Sequence, residues 1–241
     1  MQLIVLAGQA RVGKTTLAKI IAEGAFNLGM KPELLSFAGP LKKLAEEKGS
    51  AKDTEPKKYR DFCQSYGAMK REIDPDYWVN EFEKELQEHV KTEQRAIKDN
   101  EKYWERCIIV DDCRYLNEVG LAMKHNATLI FVSFGDREMP DSEAEWRDHH
   151  SEKMARLIDS GDKDYIDVFP YVITNDGNEK DLKEQAQDMI PVWCGVEPAP
   201  KQGKRLPDVE EAVELLIDIL FLNNIDEEEE EEDEHDDEET E

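Results

Sequence analysis

Apolar positions along the chain recur with two different periods, and the switches between them divide it into elements. Residues 2–7 are a short apolar run ending at Gly8, the pattern of a strand covered on both faces. From Lys14 the spacing turns helical: Leu17, Ile20, Ile21, Phe26 and Leu28 recur up to Gly29, which acts as a stop. Leu34, Leu35 and Phe37, after Pro32, predict a second strand. Pro40 opens a helix carrying Leu41, Leu44 and Ala45 and closed by Gly49, and the polar residues 50–58 read as a loop. Two helices follow, over about 58–71 and 76–98. The second is amphipathic through Tyr77, Trp78, Phe82, Leu86 and Val90.

Cys107 to Val110 is another buried strand, ending in Asp111-Asp112. A helix around 116–125 leads to a strand from Thr128 to Phe134. Residues 135–150 are charged and contain Gly135 and Pro140, with helix signals resuming near Ser151. Tyr171 to Ile173 is a last strand, stopped by Asn175-Asp176-Gly177 and followed by a helix over about 178–190. Residues 191–208 read as an ordered loop or linker, and 209–223 as a final amphipathic helix. Five strands alternating with helices predict an α/β three-layer sandwich, a five-stranded parallel sheet with helices on both faces. Local pattern does not encode the order of the strands.

Charge changes this picture in one place. The 241 residues carry a net −26. Fourteen of those charges lie in residues 226–241, where only His235 and Thr240 are not acidic, so the first 225 residues carry −12. The expected organisation is therefore one domain over 1–225 and a disordered acidic tail over 226–241, because like charges with nothing to bury do not repay the entropy of ordering. A negative body with no basic stripe argues against direct nucleic-acid binding. No apolar run approaches the ~18–20 residues that span a bilayer, and residues 1–7 lack the basic start of a signal peptide. Four cysteines (Cys63, Cys107, Cys113 and Cys194) have no metal-site spacing, which points to a soluble protein of a reducing, cytoplasmic compartment.

The strongest chemical signal is Gly8-Gln9-Ala10-Arg11-Val12-Gly13-Lys14-Thr15, a match to G-x-x-x-x-G-K-[ST]. Glycines let the backbone curl so that successive N–H groups, from Gly8 through Arg11, Val12 and Gly13 to Thr15 and Thr16, face phosphate oxygens. The following helix adds its N-terminal dipole. Lys14 is placed to reach the β- and γ-phosphates of ATP, and the Thr15 hydroxyl to ligate Mg²⁺. The motif lies between an apolar strand and a helix, the context that separates it from an ordinary glycine turn. One carboxylate of Asp111-Asp112, at the end of a buried strand, suits holding the metal; an ordinary helix cap is the competing reading. Lys42, Lys43, Arg71, Arg114, Arg137 and Arg147 are cations in an acidic chain, and Arg suits bidentate phosphate contact. Phe37 could stack on a base, whereas Trp78 and Phe82 at helical spacing fit a core. His149-His150, with Asp148 and Glu152, resembles a metal cluster only superficially, since consecutive residues point different ways.

In order along the chain stand Gly8 to Thr15, Phe37-Ala38-Gly39-Pro40-Leu41-Lys42, Tyr66-Gly67 through Asp74-Pro75-Asp76-Tyr77-Trp78-Val79, Asp111 to Glu118, and Asp148-His149-His150-Ser151-Glu152. Over roughly residues 1–190 the chain resembles the bacteriophage deoxynucleoside monophosphate kinases, relatives of the nucleoside monophosphate kinases. The resemblance implies ATP as donor, Mg²⁺, and a deoxynucleoside monophosphate as acceptor, with the acceptor held by a helical insertion at about 36–98. By motif, Asp112 matches the aspartate of D-x-R, Arg114 its arginine and Glu118 the later acid. Arg71 stands where the family has a basic residue.

The expected catalytic set is then Lys14, Asp112 and Arg114, with Thr15 and Asp112 on the metal. Phe37, Lys42, Arg71, Trp78, Arg114 and a lid arginine, Arg137 or Arg147, are expected on the substrates. The partners would be the two small-molecule substrates, with no membrane and a homodimer left open; in a phage-encoded enzyme the compartment would be the host cytoplasm. Two other classes remain open at this point: a P-loop kinase of a non-nucleotide metabolite, and an ATPase switch that binds a partner through its acidic tail.

Overall fold

The computed structural model describes residues 1–49, 53–99, 103–135, 153–159 and 168–198. The final helix at 209–223, the tail, Arg137, Arg147 and His149-His150 lie outside them. Five strands, β1 (Gln2–Ala7), β2 (Lys31–Leu35), β3 (Arg106–Cys113), β4 (Thr128–Ser133) and β5 (Tyr171–Thr174), form one sheet in the order β2-β3-β1-β4-β5. Every pairing is parallel. The helices are α1 (Lys14–Asn27), α2 (Gly39–Glu47), α3 (Pro56–Ile73), α4 (Tyr77–Lys98), α5 (Leu116–Lys124), α6 (Lys153–Asp159), α7 (Glu179–Gln187) and α8 (Ile190–Trp193).

The two-residue period of the strands divides the core into two layers. Leu3, Val5 and Ala7 of β1 join Ile108 and Val110 of β3 against Val79, Phe82 and Leu86 of α4 and Val119 and Ala122 of α5. Ile4 and Leu6 join Cys107 and Ile109 on the opposite face, against Leu17 and Ile21 of α1, Leu182 and Ala186 of α7 and Trp193 of α8. Ile4 and Leu6 are fully buried. Truncating either to Ala removes both transfer energy and packing, at a cost of about 2–5 kcal/mol. The helix after β1 thus covers one face and the helix after β3 the other. Their strands are neighbours, so a crevice opens at their C-terminal ends, where open parallel sheets place ligands.

The predicted elements recur with four corrections. β2 begins at Lys31, so Pro32 lies inside it and Phe37 beyond it. β2 pairs only with β3, and an edge strand tolerates a residue without an N–H. α3 starts at Pro56, inside the expected loop, because proline suits the first helical turn. Ile190–Trp193, expected at a helix end and loop start, is a separate short helix with Ile190 and Trp193 buried. Finally, β3 does not stop before the aspartates but runs through them to Cys113.

Candidate active site

The loop between β1 and α1 adopts conformations that only its sequence allows. Gly8 has φ 139° and Gly13 has φ 108°. A Cβ on Gly8 would collide with the Val132 carbonyl oxygen of β4, and one on Gly13 with the side-chain amide of Asn175. Arg11, exposed at the loop's crest, has φ 61° without being glycine. Asn175, just past β5, donates from Nδ2 to the buried Val12 carbonyl at 2.7 Å. The loop is therefore seated on β4 and clamped from β5.

Lys14 is 7% exposed, and its ammonium donates to the Gly8 and Gln9 carbonyls at 2.6 and 2.7 Å. Thr15 donates its hydroxyl proton to Asp111 Oδ2 at 2.6 Å. Thr16 follows in the first turn of α1.

A bulge sorts the two aspartates. Val5 pairs with Val110 but Ala7 pairs with Cys113, so Leu6 alone stands opposite Asp111 and Asp112. An extra residue at a strand end re-aims the side chains around it. Asp111 goes to Thr15. Asp112, which the motif match assigned to the metal, goes to the segment after β2 instead. There it accepts from the Ser36 hydroxyl, from the Phe37 N–H at 2.9 Å and from the Ala38 N–H at 3.3 Å. Lys42 completes the group, 3.1 Å from Asp112 and 2.6 Å from Ser36 Oγ. Burial pushes the Asp112 carboxyl up, but the Lys42 charge and the Ser36 and Phe37 hydrogen bonds outweigh it and hold it below its ordinary range. The carboxylate beside the Thr15 hydroxyl is thus that of Asp111, one residue before the expected Asp112. A hydroxyl and a carboxylate in contact are hard oxygen donors that suit Mg²⁺, an ion that keeps several waters and needs few protein ligands. Among the described residues, no group of three or more His, Cys, Asp or Glu side chains could hold a metal.

Across the crevice, three distant segments meet. The Arg71 guanidinium from α3 lies 4.1 Å from the centre of the Tyr115 ring, within cation–π range. Its side chain thus turns to Tyr115 at the start of α5. Glu118, 3% exposed, accepts from the Arg114 N–H at 2.7 Å and the Tyr115 N–H at 3.1 Å. Burial, then the Asp112 charge, push its carboxyl up to about 8, against those two N–H groups and Arg71. Arg114 is half-buried beside them, its backbone fixed by Glu118. Asn117 ties α5 to the turn before α4, donating to the Pro75 carbonyl and Asp76 Oδ1, each at 2.9 Å.

Phe37, expected to stack on a base, is a core residue, and so is Trp78, expected on the substrates although its helical spacing fits a core. Phe37 is 1% exposed and packs 4.4 Å from Phe82 between ring centres. Trp78 is 3% exposed and gives its indole N–H to the Gly67 carbonyl at 3.2 Å. Half-buried aromatic residues among those described in α3, α4 and at the start of α5 include Phe62, Tyr66, Tyr77 and Tyr115. Ser36, Tyr115 and Asn175 are residues that pattern reading did not single out for chemistry. Asp111 was read as one of two adjacent acids, with the choice then falling on Asp112.

No family model matches the chain, and no curated protein matches it. Among solved structures it is similar to a dephospho-CoA kinase from Campylobacter jejuni, at 15% identity and a TM-score of 0.45, covering 82% of this chain and 100% of that one. So distant a likeness says nothing of substrate. The P-loop α/β fold rests on the sheet, its order and the glycine loop. No described helix is long and apolar enough to cross a membrane.

Proposed function

We propose that the chain is an ATP-dependent phosphotransferase whose acceptor is a deoxynucleoside monophosphate. The observation that carries the reading is the Thr15–Asp111 contact of 2.6 Å beside the buried Lys14, at the mouth of a glycine loop. This arrangement suits a nucleoside triphosphate and its metal. The acceptor class rests on the resemblance of residues 1–190 to the phage kinases, supported by cations gathered across the crevice.

Backbone N–H groups of residues 8–15 and the Lys14 ammonium take the β- and γ-phosphates. Thr15 and Asp111 would hold Mg²⁺, which would supply positive charge to offset the charge of the phosphates. Arg71 holds the acceptor's phosphate, fixed in direction by the Tyr115 ring. An oxygen of that phosphate attacks the γ-phosphorus, the bond to the β-phosphate oxygen breaks, and ADP leaves. A phosphate oxygen is already ionised at neutral pH, so no general base is required. Arg114, steadied by Glu118, supports charge on the phosphoryl group in flight. The work is alignment and neutralisation. Arg137 or Arg147 would close over the phosphates.

A kinase of a non-nucleotide metabolite is the second reading, favoured by one observation. The burial of Phe37 and Trp78 removes two aromatic faces that base recognition would use. One experiment separates the readings: the purified protein with ATP and Mg²⁺ is offered each nucleoside and deoxynucleoside monophosphate, and diphosphate formation is followed. Diphosphate from at least one monophosphate supports the first reading. ATP consumption without it, or none at all, removes the monophosphate assignment.

A further inference from the structure

Among the described residues, several large apolar side chains at one edge of the sheet are exposed. Phe26, at the end of α1, is 60% exposed and stacks on Trp104, 49% exposed, with ring centres 6.1 Å apart. Leu28 follows and is also exposed. Leu34 of β2 is 51% exposed. It pairs with Ile109, which belongs to the α1 side of the core, so Leu34 lies on that same face of the sheet. Phe26, Leu28, Leu34 and Trp104 are thus large apolar side chains exposed on the α1 side of the sheet near β2, two of them in a stacked aromatic pair. An exposed aromatic pair with exposed apolar neighbours marks an interaction surface, whereas single exposed residues need no explanation.

The same chain holds an apolar segment that needs a cover. In residues 215–222 every residue except Asp218 is apolar, and Val209, Ala212 and Val213 extend the run backwards. The amphipathic helix expected over 209–223 therefore needs a surface against which to bury its apolar face.

We propose that the segment 209–223 docks on the Phe26–Leu34–Trp104 edge of its own chain. The point of departure fits. Gly195 lies against the Gln2 side chain, which donates to the Trp193 carbonyl at 3.1 Å. Gln2 pairs with Cys107 at the start of β3, and Trp104 is three residues before Cys107. The described chain therefore leaves from the end of the sheet at which Phe26 and Trp104 lie. From Pro198, the connection 199–208 reaches at most ~33–36 Å, and β1 lies two strand spacings from β2, about 10 Å. The docked helix carries the acidic tail with it and fixes its root on the outer flank of α1, at the end of that helix away from the glycine loop.

The test uses the full-length chain with p-benzoylphenylalanine in place of Phe26, an exposed position that tolerates a larger ring. After irradiation the products are separated by mass and the joined peptides mapped. The expected product has the mass of one chain, with position 26 joined to a peptide from 209–223. In the full-length Leu216→Asp/Leu220→Asp variant its yield should fall at least fivefold. A product at twice the mass would assign the edge to a second copy and overturn the proposal. So would the absence of any joined 209–223 peptide, or a yield indifferent to the two aspartates.

Discussion

The two banks of the crevice are built in different ways. The bank that the proposed function gives to the donor is contiguous: Gly8 to Thr15 is one stretch of chain, and its geometry comes from backbone conformations that glycine permits. The bank it gives to the acceptor is assembled. Ser36, Lys42, Arg71, Asp112, Tyr115 and Glu118 come from separate elements and meet through side chains. A contiguous loop can be recognised by spacing. An assembled surface depends on a fold that brings its parts together, and it is correspondingly easier to alter one part at a time.

The largest effect should come from the donor bank. Lys14→Ala removes the cation seated in the loop while leaving the strand and helix intact. Phosphotransfer should drop by several kcal/mol of transition-state stabilisation, each ~1.4 kcal/mol being tenfold in rate. A folded variant keeping more than a tenth of the activity would falsify the donor-site assignment. Next, the bulge predicts that adjacent aspartates fail differently. Asp111→Asn should raise the Mg²⁺ concentration needed for half-maximal rate about 10–100-fold, comparable to losing a support of a metal site. Asp112→Asn should leave Mg²⁺ demand near normal but lower the melting temperature, since Lys42 loses its charge partner and one side-chain oxygen instead of two is left to accept from Ser36, Phe37 and Ala38; the cost is about 1–3 kcal/mol. Titrating Mg²⁺ against both variants decides it, and equal shifts would mean that the bulge does not sort the two carboxylates.

On the acceptor bank, Arg71→Ala should raise the acceptor KM at least about tenfold with little change in the KM for ATP, the pattern of lost ground-state binding. Arg114→Ala should lower kcat more than either KM. An unchanged acceptor KM in Arg71→Ala would leave only the donor half standing.

A smaller effect separates the banks by pH. Glu118 has a carboxyl raised to about 8 in the folded protein, so the folded state binds its proton more tightly than the unfolded chain does. Its contribution to stability is complete below the unfolded value near 4.5. It declines as pH rises towards 8, by at most ~1.4 kcal/mol per pH unit. Glu118→Gln, which can still accept from Arg114 and Tyr115, should flatten that decline in melting temperature between pH 5 and 8.5. Parallel curves for the two proteins would rule out the raised carboxyl. Least of all should change when residues 226–241 are removed: steady-state kinetics at physiological salt should match the full chain. A large loss of turnover would instead mean that the acidic tail acts on the body.

The sequence made the fold class and the donor bank legible because both rest on local signals: two-residue and helical periods, and glycines at fixed spacing. Asp111 and Asp112 mark where that ends. Parity cannot be read from two adjacent acids when an extra residue interrupts the strand pairing, and the bulge exists only once β1 lies beside β3. Arg71 was legible as a candidate cation, but its partner Tyr115 lies 44 positions away in the chain, and no spacing rule joins them. Phe37 looked available for stacking, and Trp78 for the substrates, because aromatic residues read alike whether they line a pocket or fill a core. Only packing against Phe82 and Gly67 tells the two apart.

Pro32 has an effect beyond marking where a strand bends the rules. Sheets invite company at their margins, since a margin strand presents a row of free donors and acceptors to any other strand, including one from another molecule. With no N–H at residue 32, β2 cannot offer an uninterrupted row, and growth of the sheet by strand addition is blocked at this margin. Whatever meets that margin must be recognised through side chains. The molecule can thus keep an apolar margin for specific contact without becoming a template for fibres.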